Sequence, residues 1–166
     1  AEKFEKALCE IGSLLGFISQ RPDKEIRKGP DNLWCGIDNQ YFLFECKTEV
    51  DGDRADIHKH EVGQMNNHCG WFENEYKEKP NVKYVMIIPT LFVAHDSNFT
   101  HDVEIMRKGK LKSLKMNIAN FVKEFKHYNL QELSDDVIQN AIAIHQLDIK
   151  NLLTDYSEKY KKREKK

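Results

Sequence analysis

Residues 41–47 (Tyr-Phe-Leu-Phe-Glu-Cys-Lys) constrain the fold more than any other stretch of the chain. Aromatic residues in so short a run favour extended backbone. The first half of the run is apolar on both faces, which suits a strand lying centrally in a sheet covered on both sides. Residues 82–88 (Val-Lys-Tyr-Val-Met-Ile-Ile) read as a second strong strand, closed by Pro89.

Helical spacing frames these strands. Phe4, Ala7, Leu8, Ile11, Leu14 and Leu15 predict a first helix, with Gly16 as its stop. Residues 17–28 are expected to be extended, broken near Pro22. Gly29-Pro30-Asp31 then leads into a short apolar piece through Ile37, with Asp38-Asn39 as turn residues. Residues 49–56 are polar and read as a loop, and residues 57–76 read as a helix. Residues 91–94 either continue the second strand or begin a short neighbour. Leu111, Leu114, Ile118, Val122 and Phe125 again have helical spacing. Ser134, with Asp135 and Asp136 at the positive end of the dipole, opens a last helix whose apolar stripe runs from Val137 to Tyr156. Residues 161–166 are charged and are expected to fray. The order is helix, three short strands, helix, strand and two helices, which defines an α/β chain with a central sheet flanked by helices.

The 166 residues suit one domain, and 40% apolar content supplies a core. The net charge is -1, so contact with nucleic acid must come from local basic patches. No run of about 20 apolar residues is present to span a bilayer. No signal-peptide pattern stands at the amino end. Cys9, Cys35, Cys46 and Cys69 form no C-x-x-C pair and fit reduced thiols, so a cytoplasmic location is expected. The chain starts without Met, directly in a helical pattern, and reads as a processed, trimmed or excised chain, or as one module of something longer.

Glu45 and Lys47 are two residues apart on the predicted strand and project from one face. An acid and a base side by side on a buried strand are costly unless something uses them. Pro30 fixes the backbone just before Asp31, and folding the hairpin back brings Asp31 beside Glu45. A loop of Asp38-Asn39-Gln40 would set Asp31 opposite Lys47 on the shared face. Two converging carboxylates suit a hard cation such as Mg²⁺. Such a cation polarises a phosphodiester oxygen and acidifies a bound water. A neighbouring ammonium positions that water.

Pro30-Asp31, thirteen intervening residues, and Glu45-Cys46-Lys47 resemble the motif of the PD-(D/E)XK nuclease superfamily. The resemblance covers residues 1 to about 90, in motif and in element order. It implies a restriction-endonuclease-like αβββαβ core with a mixed sheet, followed by helical additions over about 105–160. It implies a Mg²⁺-dependent nuclease, with Mn²⁺ as a substitute. The substrate is nucleic acid, DNA ahead of RNA, in restriction, repair or antiphage defence beside helicase, ATPase or methyltransferase modules. Asp31, Glu45 and the Cys46 carbonyl would be metal ligands, and Lys47 catalytic. Members often carry a supporting Glu on the first helix. Glu5 flanks the apolar stripe and is preferred to Glu10, which shares the polar side with Lys3, Lys6 and Ser13. Members also place a Gln or Lys on the helix after the third strand. Gln64 fits, with Lys59 and Glu61 as further candidates.

Other groupings have plainer readings. His58, His60, His68 and Cys69 match no closed zinc set, and read as a polar helix face near a phosphate site or as plain surface. Asp51, Asp53 and Asp56 lack the terminal Glu of a calcium loop. Trp34 and Trp71 read as core rather than base-stacking platforms. Lys108, Lys112, Lys115, Lys123 and Lys126 share a helical face, read first as solvated and second as phosphate-contacting, with Lys112 and Lys115 as its central members. The competing function classes are a non-catalytic nucleic-acid-binding module and a structural interaction domain.

Overall fold

The computed structural model describes residues 1–78 and 80–164. The chain divides into two compact units, Ala1–Arg107 with Glu158–Lys166, and Lys108–Ser157.

The first unit is built on a mixed six-stranded sheet. Its elements are α1 (Glu2–Leu14), β1 (Ile18–Gln20), α2 (Pro22–Glu25), β2 (Asn32–Cys35), β3 (Gln40–Cys46), α3 (Lys59–Glu75), β4 (Asn81–Ile87), β5 (Phe92–Val93), β6 (Val103–Met106), β7 (Glu158–Lys159) and β8 (Lys161–Lys162), interrupted by the second unit after β6. The strands of the six-stranded sheet lie in the order β1-β2-β3-β4-β6-β7. Strands β1, β2 and β3 form an antiparallel meander, whereas β3, β4 and β6 run parallel. Parallel neighbours need a long crossover, and α3 supplies it between β3 and β4.

Period two sorts the side chains. Leu33, Leu43, Tyr84 and Met86 face Val62, Met65, Cys69 and Phe72 of α3 in one apolar cluster. Trp34, Phe42 and Phe44 take the opposite face and make ring contacts with one another and with Phe17. Residues 42–46 are all buried, as expected of a central strand covered on both sides. Helix α1 stops at Gly16, whose φ of +89° a side chain would resist.

Four expectations are corrected in this unit. Residues 17–28 are not simply extended: Pro22 starts the one-turn helix α2, suited to the position by its fixed φ. The hairpin loop is Ile37–Asn39, so Asp31 falls opposite Glu45 rather than Lys47. Both loops have odd length, so the shared face survives the one-residue offset. Val103–Met106 forms a strand that the sequence reading passed over, extending the sheet beyond residue 90. Residues 161–163 are held rather than frayed: β8 pairs with β5, and Arg163 bonds Asp56 and lies 4.1 Å over the Phe92 ring. Lys165 and Lys166 lie outside the described residues.

The second unit holds α4 (Lys108–Glu124), α5 (Asp135–Ile144) and α6 (Ile149–Thr154). Ser134 caps α5 through the Val137 N–H, as its sequence signature predicts. The expected single last helix is two, because Gln146 takes φ +58° and Asp148 caps a new start. Tyr156 closes the unit by donating to the Gln146 carbonyl and accepting from Asn117, both at 2.8 Å. Among the described residues no helix is long and apolar enough to cross a membrane.

Candidate metal and catalytic site

Strand pairing between β2 and β3 ends at a proline, and the site begins there. Extending the register sets Pro30 opposite Cys46, and Pro30 has no N–H for the Cys46 carbonyl. The Cys46 N–H is instead satisfied by Asp31 Oδ2 at 2.7 Å. A side chain thus replaces a strand carbonyl and fixes the Asp31 carboxylate at the sheet's end. Gly29 sets the approach: its φ is +87°, and a Cβ there would lie 2.9 Å from the Trp71 ring. The Asp23 N–H donates to the Pro30 carbonyl at 3.3 Å, drawing α2 against this segment.

Carboxylate oxygens of Glu5, Asp23 and Asp31 come within 4.8 Å of one another. Glu5 is buried on α1, where Asn32 Nδ2 donates to its backbone carbonyl at 3.1 Å. Arg21 Nη2 donates to Glu5 Oε2 at 2.7 Å. Glu10 lies on the exposed side and is in ion-pair range of Lys6, at 3.9 Å. Burial first, then the charge of Glu45, pushes the Asp31 carboxyl from 3.8 to about 6, against the pull of the Cys46 N–H. Asp23 Oδ1 is buried and accepts no hydrogen bond among the described residues. Arg21 pairs Glu5 and Lys24 pairs Asp23 Oδ2 at 3.2 Å, and what the cluster still offers a hard, oxygen-seeking cation is the Asp31 carboxylate and the orphaned Asp23 oxygen. Burial, then the charges of Asp31 and Glu45, push the Cys46 thiol well above its ordinary value, so the backbone carbonyl is what Cys46 offers such an ion.

Glu45 has different partners. It is fully buried, and its oxygens meet Lys47 Nζ at 2.7 Å and His68 Nδ1 at 2.6 Å. Burial pushes its carboxyl up, but His68 and Lys47 outweigh this and hold it below the ordinary value. Lys47 Nζ also donates to Gln64 Oε1 at 2.7 Å, on the exposed edge of α3. Gln64 and His68 stand one helical turn apart, so a single face of α3 grips both ends of the Glu45–Lys47 pair.

The structure therefore brings Asp31, Glu5 and Asp23 together, and beside them Glu45, Lys47, Gln64 and His68. Lys59 lies apart, 76% exposed, with Asp96 at 3.8 Å. Glu61 is committed elsewhere, to Arg54 at 2.8 and 3.0 Å and to the His58 N–H. Lys112 and Lys115 are exposed on α4 of the second unit and have no ion-pair partner among the described residues. Sequence reasoning missed Asp23 and Arg21, and read His68 as part of a polar helix face near a phosphate site or as plain surface, without its contact to Glu45. The four-residue step from Gln64 to His68 was the available signal for the last.

Comparison with protein-family models, curated proteins and solved structures finds no match.

Proposed function

We propose that the chain is a Mg²⁺-dependent nuclease on a restriction-endonuclease-like core, with Mn²⁺ as a substitute metal and DNA ahead of RNA as substrate. The observation that carries the reading is the convergence of three carboxylates at the end of β2 and β3, beside a buried Glu45–Lys47 pair. Glu5, Asp23, Asp31 and the Cys46 carbonyl would hold the cation, and Glu45 adds to the negative field that attracts it. When bound, the metal supplies polarisation of the phosphodiester and a water of lowered pKa. Glu45 and Gln64 hold the Lys47 ammonium, which orients the attacking water by hydrogen bonding and offsets charge developing on phosphorus-bound oxygen. His68 fixes the Glu45 carboxylate from its other side. Helicase, ATPase or methyltransferase modules are the partners this reading implies.

The test uses circular and linear, single- and double-stranded substrates. Cleavage is expected with Mg²⁺ or Mn²⁺ and none with chelator. Cutting that continues in chelator, or no cutting with either metal, overturns the reading.

One observation favours the second reading, a non-catalytic binding module: the Glu45 carboxylate is already ion-paired by Lys47 and His68 of the chain itself. That module would bind nucleic acid equally well with and without metal. Either reading can use the α4 lysines. If Lys112 and Lys115 contact phosphate, the Lys112→Glu/Lys115→Glu variant should bind more weakly, with a salt slope shallower by about two. An unchanged slope removes α4 from the binding surface.

A further inference from the structure

Two clefts adjoin one another in the first unit. One, of about 250 Å³, has walls of Pro22, Ile26, Trp71 and Tyr76. The next, of about 330 Å³, includes Tyr41, Tyr76 and Pro80. Tyr76 and Glu75 belong to both and divide them. Pro22 is bonded to Asp23 of the carboxylate cluster, and Trp71 packs under Gly29, two residues before Asp31. The first cleft is therefore lined by neighbours of the segments that carry the carboxylate cluster, and the second adjoins the first.

We propose that these clefts seat successive unstacked bases of a single-stranded nucleic acid whose backbone passes the carboxylate cluster. The proposal rests on the nuclease reading and adds the strandedness of the substrate. Three features support it. Half-buried Trp71, Tyr76 and Tyr41 offer aromatic surface to bases, which stack on such rings whatever their identity. Two clefts with a shared aromatic divider match a ligand that repeats. Beside Gln20, the polar rim of the first cleft carries Glu25, which also takes the Arg21 N–H at 2.8 Å, and Glu75; these carboxylates only accept hydrogen bonds and repel phosphate. A base edge bearing an exocyclic amine satisfies them, so adenine and cytosine fit better than thymine. Ile26 stands at the lip, 57% exposed although large and apolar.

The test is equilibrium binding in chelator, so that it is independent of cleavage. The probes are hexanucleotides of adenine, cytosine and thymine and an abasic hexamer of the same charge, read by tryptophan fluorescence. Trp34 is buried in the core, so the responding signal belongs to Trp71. Adenine and cytosine hexamers are expected to bind at least about tenfold tighter than the abasic one, with thymine between. Ile26→Asp, at an exposed position that leaves the core intact, should erase the difference. Equal binding of abasic and base-bearing hexamers overturns the proposal. So does a quench by tetramethylammonium that nucleic acid does not compete away, since that assigns the aromatic and acidic walls to a cationic ligand. Base-dependent binding without cleavage in Mg²⁺ would keep the clefts and sink the nuclease. Cleavage with no base dependence would do the reverse.

Discussion

Replacing Lys47 with alanine is expected to lower Mg²⁺-dependent cleavage by about 10²–10⁴-fold, the usual worth of a positioned proton-handling or charge-stabilising group. The same change has a structural cost. Glu45 is fully buried, and Lys47 is one of the two groups that hold its charge. Stripping a counter-charge from a buried carboxylate costs up to about 3–5 kcal/mol. His68 remains, and the Lys47 side chain is 18% exposed, so a loss of roughly 1–3 kcal/mol is expected here. Lys47→Arg separates the two effects. It keeps the charge, and with it most of the stability, but exchanges a compact ammonium for a planar fork that cannot take the same place between Glu45 and Gln64. Cleavage should fall in both variants while thermal unfolding moves clearly only in the alanine one. A folded Lys47→Ala protein that cuts like the wild type removes Lys47 from the chemistry.

Asp31→Asn should make the metal-free protein more stable at neutral pH while abolishing cleavage. The folded Asp31 carboxyl rises from 3.8 to about 6, through burial and then the Glu45 charge. An acid whose folded value is raised contributes stability that is complete below the unfolded value and is lost as pH climbs through the folded one. Between about pH 4 and 6 the wild type should therefore weaken, by roughly 1–2 kcal/mol after allowance for solvent screening. Asparagine keeps an acceptor for the Cys46 N–H and carries no charge to desolvate, so its stability should stay flat across that window. At pH 7.5 in chelator this amounts to roughly 2–8 °C in unfolding temperature. Added Mg²⁺ should raise the wild type and not the variant, because only a ligand of the folded state stabilises it. Thermal melts from pH 3.5 to 8 decide the matter. A variant less stable than the wild type at pH 7.5 would contradict the electrostatic account of the cluster.

The sequence disclosed most about the centre of the molecule and least about its edges. Residues 42–46 announced a doubly covered strand because every position is apolar except Glu45. The shared face of Asp31 and Glu45 was legible from parity alone, since any odd loop preserves it. The register was not, because Asp38 and Asn39 both adopt positive φ and either loop could use them. Asp23 stayed hidden: its approach to Asp31 depends on a single helical turn and one bond to the Pro30 carbonyl, neither of which has a periodic signature. Val103–Met106 is four residues long, too short for an alternating pattern to stand out. The break at Gln146 escaped notice because apolar spacing ran on across it.

The carboxylate that completes the strand ladder at Cys46 also makes that amide a reporter. Its proton points at Asp31 Oδ2, so its chemical shift should follow whether Asp31 holds a proton, a charge or an ion. One nitrogen–proton resonance, followed against pH and then against Mg²⁺, would read the occupancy of the site from inside the sheet without any substrate.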